Sequence, residues 1–287
     1  MKLGLSLAGG GIKGVAHIGA IKALEESNIK FSYISGTSSG SIVATLYASG
    51  YTTDEIYEIF KKYIKEINYI DKKNLGKLAK NIITGKGINA IDGLNSGEKI
   101  KKLINEVCGK KGINNISQIK IPLLIPAVNI YNEEVYVFSN NVLWNKNDEV
   151  RYINSVDIGT AVQASCSYPG IFSPCEYENE LLIDGGITEN LPWRETKRAG
   201  ADKVLSIVFV SKTPKSCCRN IYEVVNKSFS ILCHELSKYE WDGTDYLLKI
   251  KTNNVGLLDK SKMDELYHDG YIQTKFKINE IKQKLNI

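Results

Sequence analysis

The sequence predicts an α/β protein with a mainly parallel sheet, and three observations predict it. The first fifty residues alternate strand, loop, helix, strand, turn and helix, an order that calls for a parallel sheet with covering helices. Glycine clusters stand where predicted strands end, at Gly9–Gly14, Gly36–Gly40 and Asp184–Gly186. Lys203–Val210 (KVLSIVFV) is apolar and β-branched, which reads as a central strand.

Taken in order, Lys2–Ala8 is a short apolar strand that meets the glycine loop Gly9–Gly14. Val15–Glu26 has apolar residues at helical spacing, and Asn28 offers a stop. Phe31–Ser35 is a second strand, Gly36–Gly40 a tight turn, and Ile42–Ser49 a small apolar helix ending at Gly50. Thr53–Gly87 is lysine-rich and helical, interrupted near Asp71–Asn74. Leu123–Val128 and Glu134–Phe138 read as strands and Asp157–Ala164 as a short helix. The strand Leu181–Ile183 runs directly into Asp184-Gly185-Gly186. Ile221–Glu240 is a long helix, Tyr246–Ile250 a last strand, and Met263–Lys284 a closing helical region.

The chain has 287 residues, which accommodates one large α/β domain, and it contains no repeat or domain-length linker. The net charge of +5 suits an anionic substrate or surface. The six cysteines form no C-x-x-C pair and no zinc-ligand pattern, so free thiols in a reducing compartment are expected, with no metal and no cofactor. The apolar run at the N-terminus stops at Ala8, short of a signal peptide's core, and no stretch approaches the ~20 apolar residues of a membrane span. The expectation is a cytoplasmic protein able to touch a membrane from outside.

Gly36-Thr37-Ser38-Ser39-Gly40 is a G-x-S-x-G between a strand and a helix, the setting a nucleophile elbow requires. A sharp strand-to-helix turn crowds any nearby Cβ, hence Gly36 and Gly40; it lifts the Ser38 hydroxyl out of the sheet near the amide dipoles of a helix start. Read blandly, the pentapeptide is a turn capping a helix. Gly9-Gly10-Gly11-Ile12-Lys13-Gly14 lacks the spacing and Lys-Ser/Thr pair of a phosphate-binding Walker loop. No acidic residue ends a second strand where a dinucleotide site would need it. Successive glycine N–H groups facing one point make a nest for an anion, including the oxyanion of a tetrahedral intermediate, and Lys13 adds charge or simply faces solvent. Asp184, at the C-terminal end of a strand and followed by Gly185 and Gly186, puts a carboxylate in the usual crevice of an α/β sheet; the plainer alternative is an Asp-Gly turn.

Together these motifs resemble the patatin-like phospholipase family, marked by G-G-G-x-[RK]-G, G-x-S-x-G and D-G-[GA] in that order. Ala164–Pro174 (ASCSYPGIFSP) resembles a further family stretch, with Ser167 where Ala is commoner, and Asn190-Leu191-Pro192 also fits. The resemblance spans about residues 2–210; the rest, 211–287, matches only in its helix-and-strand plan and would complete a single domain over 1–287. It implies a three-layer α/β/α fold and a Ser-Asp dyad. Ser38 would attack the ester carbonyl and Asp184 accept its proton. Gly9, Gly10, Gly11, Lys13 and Gly14 would form the oxyanion and substrate loop, with the amides near Gly10 and Gly11 foremost. The substrate would be a lipid acyl ester, of phospholipase A or lysophospholipase type.

Three histidines exist, His17, His234 and His268. The order Ser…Asp…His is formally that of an α/β-hydrolase triad, but an elbow at residue 38 leaves room for only one earlier strand. His17 reads as a packed histidine. Between Phe60 and Gly87, Lys61, Lys62, Lys65, Lys72, Lys73, Lys77, Lys80 and Lys86 face only Glu66 and Asp71, interleaved with apolar residues. That segment reads either as a solvated helical face or as an amphipathic cap touching anionic lipid. No nucleic-acid motif accompanies the charge. Two rival functions remain open at this point: a thioesterase or carboxylesterase acting on soluble acyl groups, and a non-catalytic lipid-binding module.

Overall fold

The computed structural model describes residues 1–66, 93–141, 150–210, 221–252, 255–256 and 259–287. Its sheet has the strand order β5-β4-β3-β2-β1-β8-β9, with β6 and β7 added beside β3. The strands are β1 (Leu3–Leu7), β2 (Tyr33–Gly36), β3 (Leu123–Asn129), β4 (Val135–Ser139), β5 (Val150–Ile153), β6 (Cys175–Tyr177), β7 (Glu180–Asp184), β8 (Lys203–Val210) and β9 (Tyr246–Lys251). Pairings β1–β2, β1–β8, β2–β3, β8–β9 and β4–β5 are parallel, whereas β3 pairs antiparallel with β4 and β7, as does β6 with β7. The sheet is thus mixed and mostly parallel. β8 lies inside it, but one place from the edge: β1 and β2 hold the middle.

The helices are α1 (Val15–Glu25), α2 (Ser39–Ala48), α3 (Thr53–Glu66), α4 (Glu98–Lys110), α5 (Ile158–Ser165), α6 (Trp193–Arg198), α7 (Ile221–Glu240) and α8 (Met263–Leu285). Alternation along the strands divides the two faces of the sheet. Leu5, Leu7, Ile34, Ile125 and Ile207 join α1, α2, α4 and α8 in the principal core. Tyr33, Leu124, Val137 and Val204 face the other way, with Ala199, Ala201 and Trp193 packed on them. That second face is partly polar. Thr196 donates its hydroxyl to Ser35 Oγ at 2.6 Å, and Ser35 donates to Ser6 Oγ at 3.0 Å.

Most elements foreseen from periodicity recur within a residue or two. The helix after the elbow starts earlier, at Ser39 instead of Ile42, because Gly40 N–H already bonds Thr37 O at 2.8 Å. Asp157 caps α5 through a bond from Thr160 N–H at 2.8 Å. Among the described residues, α4, α6 and the short strands β5 and β6 were not foreseen. The apolar residues of α4, Ile100, Ile104, Val107 and Cys108, do carry a helical period. β5 has four residues and β6 three, too few for alternation to register. Of the lysine-rich segment, α3 covers Thr53–Glu66; the stretch from 67 onward, with the break near Asp71–Asn74, lies outside the described residues.

The site is positioned by a fork in β3. Its first residues pair with β2, Ile34 opposite Leu123 and Ser35 opposite Leu124. Its last residues pair with β7, Ala127 opposite Asp184 and Val128 opposite Ile183. β4 occupies the other edge of β3 throughout. β2 and β7 therefore run toward each other along one edge of β3, and their C-terminal ends meet.

Candidate active site

At the end of β2 the chain turns sharply. Ser38 has φ 53° and ψ −125°, an unusual conformation for a residue with a side chain, held by its surroundings. Gly36 and Gly40 permit the turn: a Cβ on Gly36 would overlap the Gly40 carbonyl, and one on Gly40 would overlap the carbonyl of Leu7 in β1. Ser38 O accepts both Ser41 N–H, at 2.9 Å, and the Ser41 hydroxyl, at 2.6 Å. Ser38 is left half-exposed in an otherwise buried turn.

Asp184 arrives from β7 and is 1% exposed. Its Oδ1 accepts Gly186 N–H at 2.8 Å. Oδ2 is buried and makes no hydrogen bond of ordinary geometry among the described residues. Burial pushes the carboxyl up to about 7, opposed by the Ser38 hydroxyl and then by Gly186 N–H. Ser38 is therefore near enough to act on the carboxylate without a well-formed bond, a loose contact of the kind that tightens when substrate binds. Of the supporting glycines, Gly185 packs on β3, where a Cβ would overlap Pro126 O, and Gly186 lines the cleft.

The family-like stretch Ala164–Pro174 joins the two halves physically. The Ser165 hydroxyl accepts Ser38 N–H at 3.0 Å, and Ser167 O accepts Asp184 N–H at 3.1 Å. One short segment at the C-terminal end of α5 thus sets the backbone of both residues. The motif marks the stretch in the sequence, but nothing in its residue types signals this task.

Ser38, Asp184, Gly9, Gly10, Gly11 and Lys13 line one cleft of about 230 Å³. Its walls are largely apolar: Ile42, Phe60, Ile64, Ile100, Ile171, Phe172, Val208 and Phe209. The glycine loop is sorted by its hydrogen bonds. Gly9 N–H is held by Asn190, through Oδ1 at 3.1 Å and the main-chain oxygen at 3.3 Å. Lys13 N–H bonds Gly10 O at 3.3 Å. The N–H groups of Gly10 and Gly11 have no partner among the described residues. Gly11 has φ +60°, and a Cβ on Gly10 would lie 2.7 Å from the Phe209 ring. Gly14 does not line the cleft; it is buried where a Cβ would lie 2.7 Å from Ser39 Cβ. Lys13 has its pKa lowered by burial and then by the charge of Lys227.

The histidines stand apart from the carboxylate. His17 is fully buried, with Nε2 2.8 Å from Ala8 O and its ring 4.4 Å from that of Phe209. Burial drives its pKa down to about 4, so it is neutral and donates Nε2–H to the carbonyl. His234 lines the cleft and His268 lies exposed on α8; neither bonds Asp184 among the described residues. The other groups that feel Asp184 are Cys166, Tyr168 and Cys233, all pushed up by burial and so uncharged at neutral pH. Among the described residues no His, Cys, Asp and Glu cluster suits a metal ion, and no helix is long and apolar enough to cross a membrane.

Comparison with known proteins gives the family of the chain and a likeness of fold. The family described as Patatin-like phospholipase matches residues 5–197. An uncharacterized Bacillus subtilis protein, YqhO, is 30% identical over 254 residues, 81% of this chain and 83% of that one. Lysophospholipase NTE1 of the yeast Meyerozyma guilliermondii is 27% identical over 300 residues, 94% of this chain but 19% of that protein. The chain therefore spans about a fifth of that relative's length. Among solved structures, VipD from Legionella pneumophila superposes with a TM-score of 0.52 at 18% identity, covering 97% of this chain and 67% of VipD, a likeness of fold.

Proposed function

Because the chain belongs to the patatin-like phospholipase family, we propose that it is a serine acyl hydrolase cleaving carboxylic esters of lipids through Ser38 and Asp184. The observation that carries this reading is the convergence of three features on one apolar-walled cleft. They are a strained, half-exposed serine, a buried carboxylate oxygen and two glycine N–H groups, the last three without hydrogen-bond partners among the described residues.

In this reading Asp184 takes the Ser38 proton as the oxygen attacks the ester carbonyl. A carboxylate at its ordinary pKa near 3.9 is a feeble base; one raised to about 7 is matched to the task. Gly10 and Gly11 N–H groups bind the developing oxyanion, and because they are fixed beforehand they reorganise little in the reaction. The alcohol departs with the proton, leaving an acyl group on Ser38. Water, deprotonated by Asp184, then releases the acid. The apolar walls receive the acyl chain. NTE1 bears the name lysophospholipase, which makes lysophospholipids and phospholipids the first substrates to try. The lysine-rich sequence over 60–87 adds peripheral contact with anionic lipid to the reading.

Covalent labelling tests it. A fluorophosphonate should modify wild type at Ser38 and leave Ser38→Ala unmodified, while the Ala variant loses hydrolysis of a panel of lysolipids, phospholipids, acylglycerols and acyl-CoAs. Ser38→Ala within about tenfold of wild type would remove Ser38 as nucleophile. Hydrolysis confined to acyl-CoAs would replace the lipid esterase by a thioesterase.

A further inference from the structure

The last turn of α7 is fastened to the loop that follows the Asp184 turn. Glu240, 6% exposed, accepts Asn190 N–H with Oε1 and Leu191 N–H with Oε2, each at 3.0 Å. Its main-chain oxygen accepts Trp193 Nε1–H at 2.6 Å. A buried carboxylate that accepts two adjacent backbone N–H groups fixes that peptide in position and in rotation. The peptide so fixed carries Asn190, and Asn190 in turn holds Gly9 N–H with its side chain and its main chain.

The Asn190 amide is wedged between the two loops of the site. A Cβ on Gly9 would lie 2.6 Å from Asn190 Oδ1, and a Cβ on Gly186 3.1 Å from the same atom. By engaging Gly9 N–H, Asn190 fixes the Ala8–Gly9 peptide, the one that leads directly into the Gly10 and Gly11 N–H groups. Glu240 lies outside residues 5–197 that match the family and does not line the cleft.

We infer that Glu240 is a positioning residue for the proposed reaction: it acts through Asn190 to hold the glycine loop with the Gly10 and Gly11 N–H groups aimed at the oxyanion. The inference rests on the hydrolase reading above. Oxyanion donors matter more in the transition state than in the ground state, so a misaimed loop lowers kcat and leaves KM nearly alone.

The test is a double-mutant cycle on the full chain, with Glu240→Gln, Asn190→Ala and the pair, assayed on an ester that wild type hydrolyses. Gln keeps one acceptor and presents an amide donor to the other N–H. Each single variant should lower kcat roughly tenfold to a hundredfold, in line with the loss of a well-aimed donor, with KM within about threefold. The double variant should be no slower than the worse single one, because both break one chain of contacts. Trp193→Phe removes the third bond of the same staple without touching the relay and should keep kcat within about threefold. The relay is overturned if the two losses multiply, if KM rises while kcat holds, or if Trp193→Phe is as slow as Glu240→Gln. Should Glu240→Gln not fold, the split between kcat and KM in Asn190→Ala decides alone. A wild type inert toward every ester overturns the hydrolase reading and the relay with it; a turning-over wild type with any adverse variant result overturns the relay only.

Discussion

Gly270 of α8 is pressed against Ala16 of α1, so closely that a Cβ at 270 would overlap the Ala16 carbonyl oxygen. The contact is reciprocal, since a Cβ on Gly19 would overlap the carbonyl of Tyr267. Two helices that touch backbone to backbone cannot admit a methyl group without separating. Gly270→Ala should therefore lose roughly 1–3 kcal/mol of stability, measured by denaturant unfolding. No residue of α8 lines the cleft, so turnover per folded molecule should stay unchanged.

The pH dependence follows from Asp184. Below about 7 its carboxyl is protonated and cannot take the Ser38 proton, so kcat/KM should rise with pH through that value and then level off. Glu240, also raised to about 7 by burial, titrates in the same window. The Glu240→Gln variant removes that second titration, and its activity should still fall as Asp184 takes up its proton near 7. A profile already flat from pH 5 upward would take the role of base from Asp184.

Replacing the proposed base should trade activity for stability. Asp184→Asn retains the acceptor for Gly186 N–H and loses the proton acceptor, which should cost roughly a thousandfold in kcat. The stability change has a definite sign. The unfolded carboxyl ionises near its ordinary pKa of about 3.9 and the folded one at about 7, so between these values the folded chain holds a proton that the unfolded chain has released. Wild type thus loses stability as pH rises through that window, and the loss is complete above 7. Asp184→Asn lacks this contribution, while the one from Glu240 remains in both proteins. Its melting temperature should exceed wild type's at pH 8, and the advantage should vanish toward pH 4.

The isolation of the imidazoles gives a fourth prediction. His234→Gln and His268→Gln should each keep turnover within a few-fold, since neither ring bonds Asp184. A thousandfold loss at either would put a Ser-Asp-His triad in place of the dyad.

Much of the site could be read from the sequence because its demands are local. A turn as sharp as that at Ser38 tolerates no Cβ at 36 or 40, and a loop with φ +60° at Gly11 favours glycine, so backbone requirements appear directly as residue types. Strand and helix periods did the same for most of the core, and failed where β5 and β6 were too short to show one. What only the tertiary structure decided is how distant pieces meet. β7 turns back along β3 to bring Asp184 to Ser38, 146 positions earlier. Ser165 and Ser167 set the backbones of both residues, and Glu240 reaches the glycine loop through Asn190. Such contacts leave no period in the sequence, because a hydrogen bond between residues far apart in the chain requires one suitable atom at each end and nothing of the residues between.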